Sequence, residues 1–278
     1  MKWSWRLGRF AGIDVYVHAT FLMLLAWMAV SYYLPRQSMT DVVNGLAFIL
    51  ALFAIVILHE FGHALTARRF GIRTRDVTLL PIGGVARLER MPEDPRQELL
   101  VALAGPGVNV VLAGILLLVL VPTATLEAVN EIRLVGGHFL SKLLWINVSL
   151  AAFNLIPAFP MDGGRVLRAL LAMRMDYVRA TQVAASVGQA LAIVFGFIGL
   201  LYNPFLVFIA LFVWMGAASE ASMVQMKSAL GGIPVSKAMI ADFRSLRPTD
   251  SLEQAIEHVL AGFSLTSRFL SRAVLWGF

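Results

Sequence analysis

Val42-Val43-Asn44-Gly45-Leu46-Ala47-Phe48-Ile49-Leu50-Ala51-Leu52-Phe53-Ala54-Ile55-Val56-Ile57-Leu58-His59-Glu60-Phe61-Gly62-His63 holds no charge before its last five residues. A helix of about 20 apolar residues crosses a hydrocarbon core, so this run predicts a membrane span. It ends in the pattern H-E-x-x-H. Positions i and i+4 share a helical face, so His59 and His63 can hold one zinc ion. Glu60 sits beside them, where it can take a proton from a water activated by zinc. Two imidazoles and a carboxylate in such a helix are costly to bury and mark a functional site. The stretch points to hydrolysis inside a membrane.

The rest of the chain agrees with this. Of its 278 residues 59% are hydrophobic and 14% charged, against about 45–50% and about 25% in soluble domains. Mean hydropathy is +0.77. These values predict an all-α polytopic membrane protein in the lipid bilayer. There is no cysteine, which excludes disulfides and thiolate sites and leaves any metal to His, Asp, Glu or water. The pI is near 10.1, but the basic residues lie in loops between apolar runs. That distribution suits topology and anionic lipid and argues against nucleic acid. Lys2, Arg6 and Arg9 precede the first apolar run with no small-residue cleavage site, so that run reads as a retained span.

Six spans are expected, at 17–35, 43–64, 99–121, 138–158, 181–201 and 204–221. Gly8, Gly12 and the alternation Ile13-Asp14-Val15-Tyr16-Val17 predict a short hairpin or strand at the surface before them. With the N-terminus inside, 20 of the 23 Lys and Arg residues fall on the inner side, and only Arg36, Arg133 and Lys142 fall outside. Positive charge favours the cytoplasm, so both termini are expected there, in a cell membrane. Span 2 then carries His59–His63 to its cytoplasmic end. Asp162, which follows span 4, approaches the same side.

A catalytic zinc has three protein ligands and one water. The other histidines do not suit: His18 and His138 begin spans on opposite sides, and His258 lies in the tail. Asp162, in Asn154-Leu155-Ile156-Pro157-Ala158-Phe159-Pro160-Met161-Asp162-Gly163-Gly164-Arg165, is the best third ligand. Pro157 and Pro160 stop the helix, and Gly163-Gly164 permit a sharp turn.

Together the two motifs resemble those of the site-2 protease family of intramembrane zinc metalloproteases. Ala104-Gly105-Pro106-Gly107-Val108-Asn109 and Leu80-Pro81-Ile82-Gly83-Gly84-Val85-Ala86 extend the resemblance. It implies one Zn2+ held by His59, His63 and Asp162, with Glu60 as general base. Asn154 would position the scissile carbonyl or stabilise its oxyanion. Gly83 and Gly84 would lie on an edge strand that binds substrate by β-augmentation. Asn109 is read first as orienting the site or satisfying the backbone near Pro106, and is grouped also with the substrate-side residues. The substrate would be a single-span membrane protein, cleaved within or near its transmembrane helix. A metal transporter using the same ligands is the rival reading. It leaves Glu60 and the Asp-Gly-Gly turn unexplained. A second rival is an inactive relative acting as a scaffold.

Three regions follow: a six-span protease domain at 1–222, a linker and partial CBS-like segment at 223–262, and an unassigned tail at 263–278. Val235-Ser236-Lys237-Ala238-Met239 and Leu246 to Ala255 resemble the opening of a CBS domain. The pattern stops at Gly262, so nucleotide binding is not assigned. The tail lacks strand alternation. A shifted reading frame would account for it, and the gene beyond codon 262 tests that. Substrate identity and oligomeric state, a homo-oligomer included, are left open.

Overall fold

Alternation builds the first element. Ile13, Val15 and Val17 are buried while their neighbours are not, as a strand with one face on a core requires. This strand, β2 (Ile13–His18), pairs antiparallel with β1 (Ser4–Phe10). Ala11 and Gly12 join them with φ of 49° and 85°. Positive φ at both centres is the turn that matches strand twist. In the computed structural model, residues 3–81, 83–90, 92, 94–123, 125–127, 138–230, 251–253 and 256 are described.

His18 ends β2 and caps α1 (Ala19–Arg36), its Nδ1 accepting from the Thr20 amide. Then comes α2 (Met39–Arg69), of 31 residues, capped by the Ser38 hydroxyl. At about 1.5 Å per residue it outruns the bilayer core. His59 lies about 30 Å from its start, near the far boundary of the core. Two more strands follow, β3 (Thr74–Leu80) and β4 (Gly83–Leu88). The sheet order is β1-β2-β3-β4, with β2 and β3 parallel and β3 and β4 antiparallel. Asp76 faces Arg87 across β3 and β4 and accepts bonds of 2.8 and 2.6 Å from its guanidinium.

One face of this sheet lies along α2. Ile13, Val15 and Val77 pack with Phe61 and Ala64. Val17 and Leu79 pack with Phe21, Ile49 and Phe53. Because Phe61 lies inside the H-E-x-x-H turn, the packing sets the sheet beside the motif.

The remaining helices are α3 (Pro95–Leu120), α4 (Phe139–Asn154), α5 (Asp162–Ala172), α6 (Tyr177–Tyr202) and α7 (Pro204–Leu230). Among the described residues α2, α3, α6 and α7 are long and apolar enough to cross a membrane, while the apolar helices at Ala19–Leu34 and Phe139–Asn154 are shorter. The fourth expected span thus ends at Asn154, not 158. Pro157 disfavours helix at the residue before it, and the chain turns. The sixth runs on to Leu230.

Small residues fill the interior: Ala180, Ala184, Ala185, Ala192 and Ala217 are buried, while Trp27, Leu118, Phe197 and Phe205 are exposed. Small-inside, large-outside packing is that of helices associating in lipid. Contacts divide the chain into two units, Met1–Val224 and Gln225–Phe278. Residues 235–250, which carry most of the CBS-like pattern, and the tail 263–278 lie outside the described residues.

Candidate metal centre

His59 and His63 project from one face of α2 and are buried. Their Nε2 atoms are 3.1 Å apart. The Asp162 Oδ2 lies 3.1 Å from His59 Nε2 and 3.0 Å from His63 Nε2. Residues 103 positions apart therefore meet at a triangle of three donor atoms. Asp162 is the first residue of α5, and the cap position belongs to Met161. The carboxylate is thus free to face the imidazoles. The turn that aims it needs Gly163, where an added Cβ would overlap the Ile156 carbonyl oxygen.

Hydrogen bonds behind the ring nitrogens set the tautomers. His63 Nδ1 lies 2.7 Å from the Val101 carbonyl, which can only accept, so Nδ1 carries the proton. For His59 the chain is longer. The Asn147 amide donates to the Leu143 carbonyl at 2.8 Å. Its oxygen accepts from the Asn109 amide at 3.0 Å. The Asn109 oxygen is then left to accept from His59 Nδ1 at 2.6 Å. Both Nε2 atoms present lone pairs, and Asp162 adds an anion. Burial works to raise the Asp162 carboxyl. Arg165, whose Nη1 lies 3.8 Å from the Asp162 Oδ1, opposes it and favours the anion.

Three lone pairs converging in a buried site require a proton or a cation among them. Their separations approach the roughly 3.3 Å edge of a tetrahedron with bonds of about 2.0–2.1 Å. Two His and one Asp form the donor set of a catalytic zinc, with a position left open. Among the described residues this group alone has the composition and spacing to hold a metal ion.

Gly105 makes that approach possible. A Cβ there would overlap the His63 ring and lie 2.7 Å from His59 Nε2. Glu60 is turned to the sheet: the Ala86 amide of β4 donates to its Oε2 at 3.3 Å. Gly84 also lies against it, an added Cβ falling 3.0 Å from the Glu60 Cγ. Gly83 opens β4 with φ of 137° and open space where a Cβ would stand. Asn154 ends α4 half-buried, its amide donating to the Leu150 carbonyl at 3.0 Å. The contact of Asn109 with His59 fits the reading that it orients the site. The side chain is fully buried with both ends of its amide engaged, so it stands behind His59. Asn147, the Val101 carbonyl, Glu98 and Arg168 escaped sequence reasoning. Glu98, Val101, Gly105 and Asn109 follow at steps of three, four and four, one face of α3, which was the available signal.

Peptidase family M50 matches residues 47–133 and 121–195, which include all of these donors. Zinc metalloprotease MJ0392 of Methanocaldococcus jannaschii is 33% identical over 261 residues, covering 94% of this chain and 73% of that one. This chain belongs to peptidase family M50, the site-2 protease family. The solved structure of the site-2 protease from Methanocaldococcus jannaschii matches with a TM-score of 0.55 and 36% identity, covering 79% of this chain and 95% of that one. As a member of family M50 the chain is a membrane protein and a zinc metalloprotease.

Proposed function

We propose that this chain hydrolyses a peptide bond within or near a transmembrane helix of another membrane protein, with Glu60 as general base and His59, His63 and Asp162 as the zinc ligands. The observation that carries this reading is the meeting of Glu60 with two features at once. It shares a helical turn with both imidazoles, and it touches β4 at Gly84 and Ala86. Among the described residues β4 ends the sheet. A substrate unwound from its helix needs partners for its bare amides, and a sheet edge supplies them. Such a strand beside β4 runs next to the Glu60 carboxylate.

Zinc, when held, supplies a Lewis acid that acidifies a water and polarises a carbonyl. Glu60 accepts the proton of the attacking water and returns it to the leaving nitrogen. Asn109 and the Val101 carbonyl keep both imidazoles in one tautomer through the cycle. Asn154, at the end of α4, orients the scissile carbonyl. The cytoplasmic end of α2 in a cell membrane is the proposed location, and Arg and Lys in the inner loops support it.

The test is turnover of a single-span substrate by purified protein in detergent or liposomes. Glu60→Gln should lower kcat by at least about 1,000-fold with zinc content unchanged, a loss at the upper end for a base that acts on the attacking water. Wild-type turnover in that variant removes Glu60 from the role.

A further inference from the structure

The face of α3 that carries Glu98, Val101, Gly105 and Asn109 does two jobs. Three of these residues address α2: Val101 holds His63 Nδ1, Gly105 lies under both rings, and Asn109 holds His59 Nδ1. The fourth addresses α5. Glu98 Oε1 accepts from Arg168 Nε at 2.8 Å and from Nη2 at 2.5 Å. Arg168 is six residues beyond Asp162, about 9 Å along the same helix. One helix face therefore grips the elements that bring both kinds of donor to the centre.

Arg168 is fully buried. Its guanidinium lies between the rings of Phe159 at 5.1 Å and Tyr177 at 5.0 Å. Nη1 donates to Glu220 of α7 at 2.5 Å. Glu98 Oε2 is buried with no hydrogen-bond partner among the described residues. A buried ion pair is a poor device for stability, because desolvation cancels most of its attraction and apolar packing would do as well. Its strength is direction: a rigid planar donor meets a fixed oxygen in one arrangement.

We propose that Arg168 is a positioning residue for the metal centre. By fixing α5 to the face of α3 that orients the imidazoles, it sets where Asp162 stands relative to His59 and His63. The proposal rests on the reading that these three residues hold zinc. Glu220 is an outer partner, 27% exposed at its side chain and on a helix that carries no zinc donor.

The experiment is zinc affinity of the full chain in detergent, by competition with a chelator, with the visible spectrum of the cobalt(II)-loaded protein as a report on ligand geometry. Arg168→Lys keeps the charge but loses the planar fork of Nε and Nη2 onto Glu98. The double variant Glu98→Met, Arg168→Met removes both buried charges and leaves only the partly exposed Glu220 without its ion pair. In each the dissociation constant should rise at least about tenfold, the scale of effects from groups behind metal ligands, and the cobalt spectrum should shift. Glu220→Gln should leave both unchanged. Wild-type affinity and spectrum in a folded double variant, or in Arg168→Lys should the double variant not fold, overturn the proposal. An equal loss in Glu220→Gln also overturns it, because the network would then act through general packing. His59→Ala separately tests the underlying reading: if zinc is still held as in wild type, the ligand assignment fails, not the role of Arg168.

Discussion

At the scale of single residues, the centre depends on atoms that are absent as much as on those present. Gly105→Ala should abolish zinc binding, since the added methyl occupies space held by both rings. Metal analysis of the purified protein checks this, and full zinc occupancy would contradict it. Asn109→Leu leaves the His59 Nδ1 proton without its acceptor and should weaken zinc about 10–100-fold. Acid acts on the same atoms. Imidazoles must be unprotonated to bind metal, so zinc affinity should fall as the pH is lowered. A chelator-exchange titration follows the change. The paired imidazoles and Asp162 were legible because each stands in a short local pattern. Arg168 was not. In the sequence it is one of several arginines after a span, and it was counted as a topological charge on the inner side. Its partners, 70 and 52 positions away, turn it into a buried ionic hub. Removing it from the count leaves the charge bias intact.

Among elements, local ones were the easiest to read. The hairpin of β1 and β2 announces itself through alternation and the Ala11-Gly12 turn. The parallel partnership of β2 with β3 does not, since nothing near either strand signals a neighbour about 60 residues away. The helix α5 was anticipated only as a turn, because its opening Asp-Gly-Gly disfavours helix, although the residues after it alternate with helical period. Its amphipathic register becomes clear once Arg168 and Ala169 are seen to be buried. Gly163→Ala would drive a methyl into the Ile156 carbonyl and shift the first turn of this helix. Zinc content should fall while α2, α3 and the sheet persist, which circular dichroism and metal analysis together can show.

For the molecule as a whole, lipid and interior impose opposite rules on one residue type. Arg168 is tolerated in the interior because two carboxylates and two rings surround it. Ile193, near the middle of α6, is 63% exposed. Ile193→Arg there should disfavour membrane insertion by about 2.5–3.5 kcal/mol, seen as a lower inserted fraction in a translocation assay. Composition alone identified the membrane as solvent. It did not reveal that the first and fourth apolar helices are short.

The side-by-side pairing of β2 with β3 has a consequence of parity. Two strands hydrogen-bonded in one sheet occupy one aqueous compartment, so the polypeptide between them traverses the bilayer an even number of times. If α2 traverses, α1 must as well, short though it is. The absence of native thiols makes this measurable. Single cysteines at Ala11 and Arg90 should react with an impermeant reagent from one face of sealed vesicles, and one at Gln37 from the other. Labelling of all three from the same face would mean that α1 and α2 do not both pass through.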